Sequence, residues 1–590
     1  MHLAKNIYNL IVSTIFCAEA SCASQIKTAR AVREEFGEPA AVRSGVADWA
    51  KVSYDHSERG VDKVVRKQGT KLNVTMSNVR LDGEEIPYID PRDFFRYIVD
   101  NGLTAMLAGL PIEQQHLAPQ VWRDFWRKYK ILHPHHQIFD VENIGDYGRL
   151  IGLYIHGDEG RTLKKSGLMV TSVQSVLGRG FDNKRLKRDV SGFLKPQVNF
   201  AGQTFTSRFV SFVMPKTLYD KKPNIYHQAL DLYSRNLSGL LEDGVYDSYT
   251  GDLYKFVVLG CKGDLPYLAK SGYLNRTFNT GAKKGNSTKS HGICHLCLAG
   301  YPDYPAEQIN TWQPTWTATM GVTLPWSTTP PFIMHLLHDA IDPARFFAVD
   351  LWHCVHLGFG RSWVASVVCL VLDVLPQTNL DLKWKFLTDH YITWCRANKK
   401  QTHVSKVTAY LMSYDDKTGK QGRWHKGALT TNFCGWLLRL LQDVPADSAG
   451  FLARCQSGTA NLNAMFECFY QGGFFLDRTE CEYSALCGMK FLTAYSFLAR
   501  KQFEKDRPDM FPLYPKLHLM HHMILRMRED GNEFGFSQNA MATSCQMDED
   551  VIGRVSRISR RVSIRMVMER TMGRYLVGCH TAWKSAGLIT

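Results

Sequence analysis

Two aspartates stand where short apolar runs give way to glycine. Leu150–Ile155 ends at Gly157, Asp158, Glu159 and Gly160, and Leu253–Leu259 runs through Gly260 and Gly263 to Asp264. A strand end places a carboxylate at the rim of a sheet, where it can face a ligand. Adjacent glycines let the backbone approach that ligand closely. If the two strands are neighbours, Asp158 and Asp264 converge. Paired carboxylates attract hard divalent cations such as Mg²⁺ through oxygen. A metal pair can polarise a phosphate, activate a water or a 3′-hydroxyl and stabilise the leaving oxygen. The plainer alternative is a turn, since Asp beside Gly after a strand is ordinary turn chemistry.

Cys294 and Cys297 form a Cys-x-x-Cys pair with thiolate-zinc spacing. That is half a site. His335 with His338, or His353 with His356, can supply the rest, because i,i+3 places both rings on one helix face. Two buried core thiols are the alternative. Asp350 and His353 open an apolar helix at a spacing that lets the carboxylate fix the imidazole tautomer, unless Asp350 is a helix-start residue and His353 packed core. Met547–Asp550 begins a helix on which Arg554, Arg557, Arg561 and Arg565 are spaced 3, 4 and 4, one stripe suited to phosphate oxygens or to local salt bridges. Lys184, Arg185, Lys187 and Arg188 form a second basic cluster, readable as a nuclear import signal, a DNA contact or a surface loop.

The elements that must position these groups follow from periodicity. The chain has 590 residues, more than one ordinary domain. With 45% hydrophobic and 22% charged residues it has ample core material, which excludes bulk disorder. A net charge of +15 suits a polyanionic partner. The 15 scattered cysteines fit free thiols plus a metal site better than a disulfide framework. Residues 90–135 carry apolar residues at helical spacing. Strands are predicted at 150–155, 167–177, 204–214 and 253–259, with a helix over 224–241. Residues 281–290 are a polar loop, 302–331 are irregular, and the pattern beyond 332 is almost all helical. The apolar stretch Trp363–Leu375 is too short to span a bilayer and reads as a buried helix. The first twenty residues resemble a signal peptide, with Ala18, Glu19 and Ala20 in the small-x-small form of a cleavage site, or else a first amphipathic helix.

Taken in order, these motifs resemble the eukaryotic cut-and-paste transposases with a ribonuclease-H-like DDE core, in particular the CACTA (En/Spm-type) superfamily. The likeness covers roughly 145–580. It rests on Asp264 followed by Leu265, Pro266 and a small-residue stretch, on the Cys-x-x-Cys, on Asp350-x-x-His353, and on a His-rich segment (Pro515–Met523) preceding Glu549, Gly553 and Arg554. The resemblance implies an α/β ribonuclease-H-like core, a mixed sheet with flanking helices, interrupted by a large all-α insertion and preceded by a helical N-terminal region. The implied division is 1–80 (partly disordered), 81–145 (helical), 146–290 (core), 291–341 (zinc-binding insert and loop), 342–530 (helical insertion) and 531–590 (basic helices).

Carried over by position, Asp158, Asp264 and Glu549 are the catalytic, metal-holding carboxylates. Asp350 and His353 are auxiliary, and Cys294 and Cys297 bind a structural Zn²⁺. Glu159 competes with Asp158. Asp548, Asp550, Glu480 and Glu482 compete with Glu549. The implied activity is Mg²⁺- (or Mn²⁺-) dependent strand cleavage and transfer on transposon ends and target DNA. The implied setting is the nucleus, possible in a homo-oligomer and away from membranes. The alternatives are a transposase-derived protein that binds DNA or a partner without cutting, and a secreted protein that uses its N-terminal segment.

Overall fold

At the centre of the computed structural model, which describes residues 17–162, 166–180, 188, 192–276, 278 and 292–589, lies a mixed five-stranded sheet. Ahead of it, α1 (Cys22–Phe36) and α2 (Ser57–Gln68), with two shorter helices between them, close on a core of their own around Ile26, Val32, Trp49, Val61 and Val65. This stretch was expected to be partly disordered. Its apolar residues are few but recur at helical spacing, which suffices for a small bundle. A hairpin follows, β1 (Ser77–Leu81) and β2 (Glu84–Tyr88), turning at Asp82 and Gly83, both with positive φ. An Asp-Gly pair is well suited to that turn. Next come α3 (Pro91–Asp100), whose first turn is capped by Asp90, and α4 (Ala118–Leu132).

The sheet comprises β3 (Leu150–Arg161), β4 (Gly167–Ser175), β5 (Phe209–Pro215), β6 (Val245–Tyr246) and β7 (Leu253–Gly263), in the order β5-β4-β3-β7-β6. β3, β4 and β5 form an antiparallel meander. The chain then crosses over through α5 (Pro223–Glu242), and β7 lies parallel to β3, with Gly157 opposite Gly263. Two-residue β6 pairs antiparallel with β7, and beyond it Phe347 makes a single parallel bridge to Cys261. Central β3 and β7 are covered on both faces, which explains their unbroken apolar runs. Both outlast those runs. β3 continues to Arg161 because Asp158 and Glu159 still pair with Val170 and Met169 of β4, so Asp158 sits inside its strand.

After β7 comes the short helix α6 (Leu265–Ser271). Most of the second half is helical: a π-helical segment, Trp352–Phe359, leads into α7 (Gly360–Val374), followed by α8 (Leu380–Ala397), α9 (Gly427–Asp443), α10 (Phe451–Gln471), α11 (Arg478–Phe503) and α12 (Pro515–Phe534). Among the described residues, Trp352–Val374 is the one stretch long and apolar enough to cross a bilayer, and 89% of its most apolar window is buried inside the protein. Strands β8 (Phe475–Asp477) and β9 (Phe536–Gln538) pair antiparallel before α13 (Asp548–Ser559) and α14 (Val567–Ser585).

Helix α13 lies across β3. Val551, Ile552, Val555 and Ile558 form its buried face. The contact is so close that a Cβ on Gly160 would stand 1.9 Å from Ser556 Oγ. Its first residue, Asp548, is fully buried and held by Lys262 Nζ at 2.7 Å and Arg208 Nε at 3.3 Å. Burial opposes the Asp548 charge, but Lys262 and Arg208 overcome it and hold the carboxyl well below the usual range. Asp548→Asn would leave two buried cations without a counter-charge. The expected loss is ~3–5 kcal/mol of stability, read as a lower urea midpoint at unchanged slope; a loss below ~1 kcal/mol, the range of exposed pairs, would show that the pair does not hold α13.

Candidate active site and metal centre

Asp158, inside β3, and Asp264, just past the end of β7, stand at the same level on neighbouring parallel strands, one residue beyond the Gly157–Gly263 register pair. Both glycines are sterically required. A Cβ on Gly157 would lie 2.2 Å from the Tyr267 ring, and one on Gly263 2.4 Å from it. The Tyr267 ring therefore sits over the two strand ends, and its backbone N–H donates to Asp264 Oδ1 at 2.8 Å. Asp264 thus also caps α6, so the plain turn role holds alongside any other.

Glu549 enters from α13, one residue after the anchored Asp548. It lies within hydrogen-bonding reach of Asp158, which is its strongest charged neighbour. Asp158 is thus the charged neighbour shared by Asp264 and Glu549, and three acids from three separate elements gather at one half-buried place. Burial, then Asp158, pushes Asp264 up to about 6. Burial, then Asp158, pushes Glu549 up to about 9.

Asp350 and His353 join them. The His353 ring places Nδ1 2.5 Å from Asp350 Oδ2 and Nε2 3.4 Å from Glu549 Oε1. Asp350 Oδ1 accepts from the backbone N–H groups of Trp352 (2.8 Å) and Cys545 (3.0 Å), which ties the start of the π-helical segment to the approach to α13. Burial opposes a charged His353, but Asp350 overcomes it and lifts the ring to about 9. A cationic His353 then offsets part of the repulsion among the acids. Glu549 Oε1 makes no hydrogen bond of good geometry, and the His353 Nε2 at 3.4 Å is its ion-pair partner. A carboxylate oxygen held this loosely among two further carboxylates fits an oxygen-binding cation such as Mg²⁺.

The rival acids are engaged elsewhere. Glu159 points to the opposite face of β3, where it accepts from Tyr219 and meets Lys216 at 3.2 Å and Lys270 at 3.1 Å. Asp550 accepts from Thr204 Oγ1 at 2.5 Å. Glu480 pairs with Lys195 and completes the capping box of α11. Glu482 is exposed on the same helix.

The partners of the Cys-x-x-Cys pair are neither of the two expected histidine pairs. Cys294 and Cys297 meet His518 and His522, not His335 and His338. His335 Nε2 is 2.7 Å from Asp231 Oδ1, and His338 Nδ1 is 2.9 Å from the Leu336 carbonyl. His518 and His522 stand one turn apart on α12, a His-x-x-x-His signal inside the His-rich segment. Cys297 Sγ lies 3.3 Å from Nε2 of each, Cys294 Sγ lies 3.5 Å from His522 Nε2, and the two Nε2 atoms are 3.0 Å apart. Tetrahedral zinc, with bonds of ~2.3 Å to sulfur and ~2.0–2.1 Å to nitrogen, spaces its ligand atoms about 3.3–3.8 Å apart. The N–H groups of Leu296 and Ala299 point at the two sulfurs, and the Trp316 ring covers both histidines. This buried cluster can hold a zinc ion.

The basic stripe is broken. Helix α13 ends at Ser559, so Arg561 and Arg565 leave its face and are exposed. Arg554 and Arg557 both pair with Glu19, at 2.9 and 2.5 Å, and Arg554 also stacks on Phe205. Arg188 is exposed and donates to the Gly192 carbonyl. Lys184, Arg185 and Lys187, like loop 281–290 and residues 1–16 of the signal-like segment, lie outside the described residues. All 15 cysteines are free thiols.

No protein-family model matches the chain, and no curated protein matches it.

Two outcomes follow from these geometries. Elemental analysis should find one equivalent of zinc, lost in His522→Ala and Cys297→Ser but kept in His335→Ala; retention in His522→Ala would refute the ligand set. For the carboxylates, Glu549 keeps its proton up to about 9 in the metal-free fold against an ordinary 4.5. Between those values the folded chain binds more protons than the unfolded one, so metal-free stability falls as pH rises. A cation must displace that proton. The melting-temperature increase produced by Mg²⁺ should therefore be larger near pH 8.5 than near pH 6, and Glu549→Gln should remove most of the difference.

Proposed function

We propose that the chain is a DDE-type transposase, or a protein derived from one, acting as a Mg²⁺-dependent (or Mn²⁺-dependent) polynucleotidyl transferase. The observation that carries this reading is the meeting of Asp158, Asp264 and Glu549. Two of them come from adjacent parallel strands and the third from a helix laid over the first strand. The sheet supports a ribonuclease-H-like core in its order. Three antiparallel strands are followed by a helical crossover, the two-residue β6 and then β7, which lies parallel to the first. The helical insertion lies between the second and third acids, as the resemblance implies.

In this reading the three acids hold the metal ions, which when bound would polarise the scissile phosphate and activate the attacking hydroxyl for in-line displacement. Asp350 accepts from His353 Nδ1–H and so orients the ring, with Nε2 facing Glu549. His353 holds Glu549 toward Asp158 and balances charge while the site is loaded. The Lys262–Asp548 pair keeps the second and third acids in register. Strand cleavage would free a 3′-hydroxyl, which then attacks target DNA without a covalent enzyme intermediate. The partner is DNA, the setting the nucleus, and a structural zinc orders the chain after Asp264.

Nicking of supercoiled plasmid with Mg²⁺ tests this. Asp264→Asn and Glu549→Gln should abolish nicking, and His353→Ala should reduce it ~10–100-fold, the usual cost of losing a group that orients a metal ligand. Nicking that survives in both carboxylate variants ends the reading. A second reading, a protein that binds DNA or a partner without cutting, draws on a separate observation. Arg554 and Arg557 share the single carboxylate of Glu19 and so keep a net positive charge on this face. DNA binding without nicking in the wild type would favour it.

A further inference from the structure

Two cations of the helical half, Lys516 and Arg361, have no counter-charge of their own. Lys516 is the second residue of α12 and is half-buried. Its stem lies against the π-helical segment. A Cβ on Gly358 would stand 2.8 Å from Lys516 Cδ and 2.6 Å from the His353 carbonyl oxygen. The lysine therefore flanks the turn that carries His353. Burial opposes its charge, and the groups acting on it are the Cys354 thiol, Arg361, Asp350 and Asp264. Its amine makes neither a hydrogen bond nor an ion pair among the described residues.

Arg361, the second residue of α7, is half-buried too. Its Nη1 donates to the Trp424 carbonyl at 2.9 Å, and it has no carboxylate partner among the described residues. It lines a surface groove of ≈ 370 Å³ with Tyr410, Arg423, His425 and Tyr514. The one acid among the described lining residues, Asp416, is met by Arg423 Nη2 at 3.4 Å and by the Thr418 hydroxyl at 2.6 Å. The carboxylates near Lys516 are engaged as well. Asp350 is held by His353 and by two backbone N–H groups, and Asp264 caps α6.

Neighbouring cations repel, and taking a charge out of water is costly unless a partner meets it. An anion beside them removes both penalties. A lysine ammonium is a compact point charge for phosphate, and an arginine with N–H groups to spare can fork onto phosphate oxygens. We propose that Lys516 and Arg361 hold the phosphate backbone of the DNA strand next to the three acids. The proposal rests on the nuclease reading above and adds to it a grip supplied by the helical half. Because Lys516 packs on the segment that carries His353, the grip and the acid site share one support.

Salt-dependent binding of a plain DNA duplex to the full-length chain tests this, with Ca²⁺ in place of Mg²⁺ so that the strand stays intact. Lys516→Gln and Arg361→Gln should each lower the slope of log affinity against log salt by ~0.9, the value of one phosphate contact. Lys516→Arg, which keeps the charge, should keep the slope. Zinc content and the urea midpoint report whether each variant stays folded, since Lys516 stands two residues from His518. If Lys516→Gln loses its zinc, Arg361→Gln decides. An unchanged slope in a folded variant overturns the proposal. So does a larger Mg²⁺-induced rise in melting temperature in Lys516→Gln at unchanged slope, which would make the lysine only a counter-charge to the acids. Stabilisation by inorganic phosphate that Lys516→Gln abolishes, again at unchanged slope, assigns the pair to a free anion and overturns it too. If the wild type binds no duplex, the nuclease reading falls and the grip with it, whereas binding and nicking with unaltered slopes remove the grip alone.

Discussion

The ion cluster of Asp548 with Lys262 and Arg208 bears on everything above it. All three groups are 2% exposed or less. Taking them out of water is costly, and well-packed apolar side chains often do as well for stability. Their effect here is geometric. Lys262 is two residues before Asp264 on β7, and Asp548 is one residue before Glu549 on α13. A 2.7 Å contact therefore joins the backbones that carry the second and third acids. Slippage of α13 by one residue would unpair buried charge, so the helix has one seat on the sheet.

Above that anchor, charge balance is the governing constraint. Burial first, and then the charge of Asp158, push Asp264 and Glu549 up. The Asp350–His353 pair supplies a positive group on the insertion side. The helical half thus completes the electrostatics of a site whose framework belongs to the sheet.

Much of this was legible in the residues. Glycine-flanked Asp264 marked a strand end, whereas Asp158 lies inside β3, because its backbone still pairs with β4; beside both, Gly157 and Gly263 leave no room for a Cβ. Asp350 and His353 proved to be hydrogen-bonded, as their spacing allowed. Other features needed the third dimension. Nothing local separates Glu549 from Asp548 and Asp550; which one faces the sheet depends on how α13 is rotated, and Lys262, 286 residues away in sequence, sets that. The zinc partners, left open between His335/His338 and His353/His356, proved to be neither pair, because α12 returns His518 and His522 from far along the chain. The arginine stripe failed because helical spacing says nothing about where a helix stops.

The Cys294/Cys297 and His518/His522 cluster has one more effect. Its ligands bracket a stretch of more than 200 residues, as Cys297 and His518 stand 221 apart. A cation held there buckles the outgoing and returning chain together at the neck of the insertion. Closing a longer loop costs only slightly more entropy than closing a shorter one. With zinc bound there, lengthening the segment between Cys297 and His518 would add little closure entropy, so the spacing of the acids would not depend on its length.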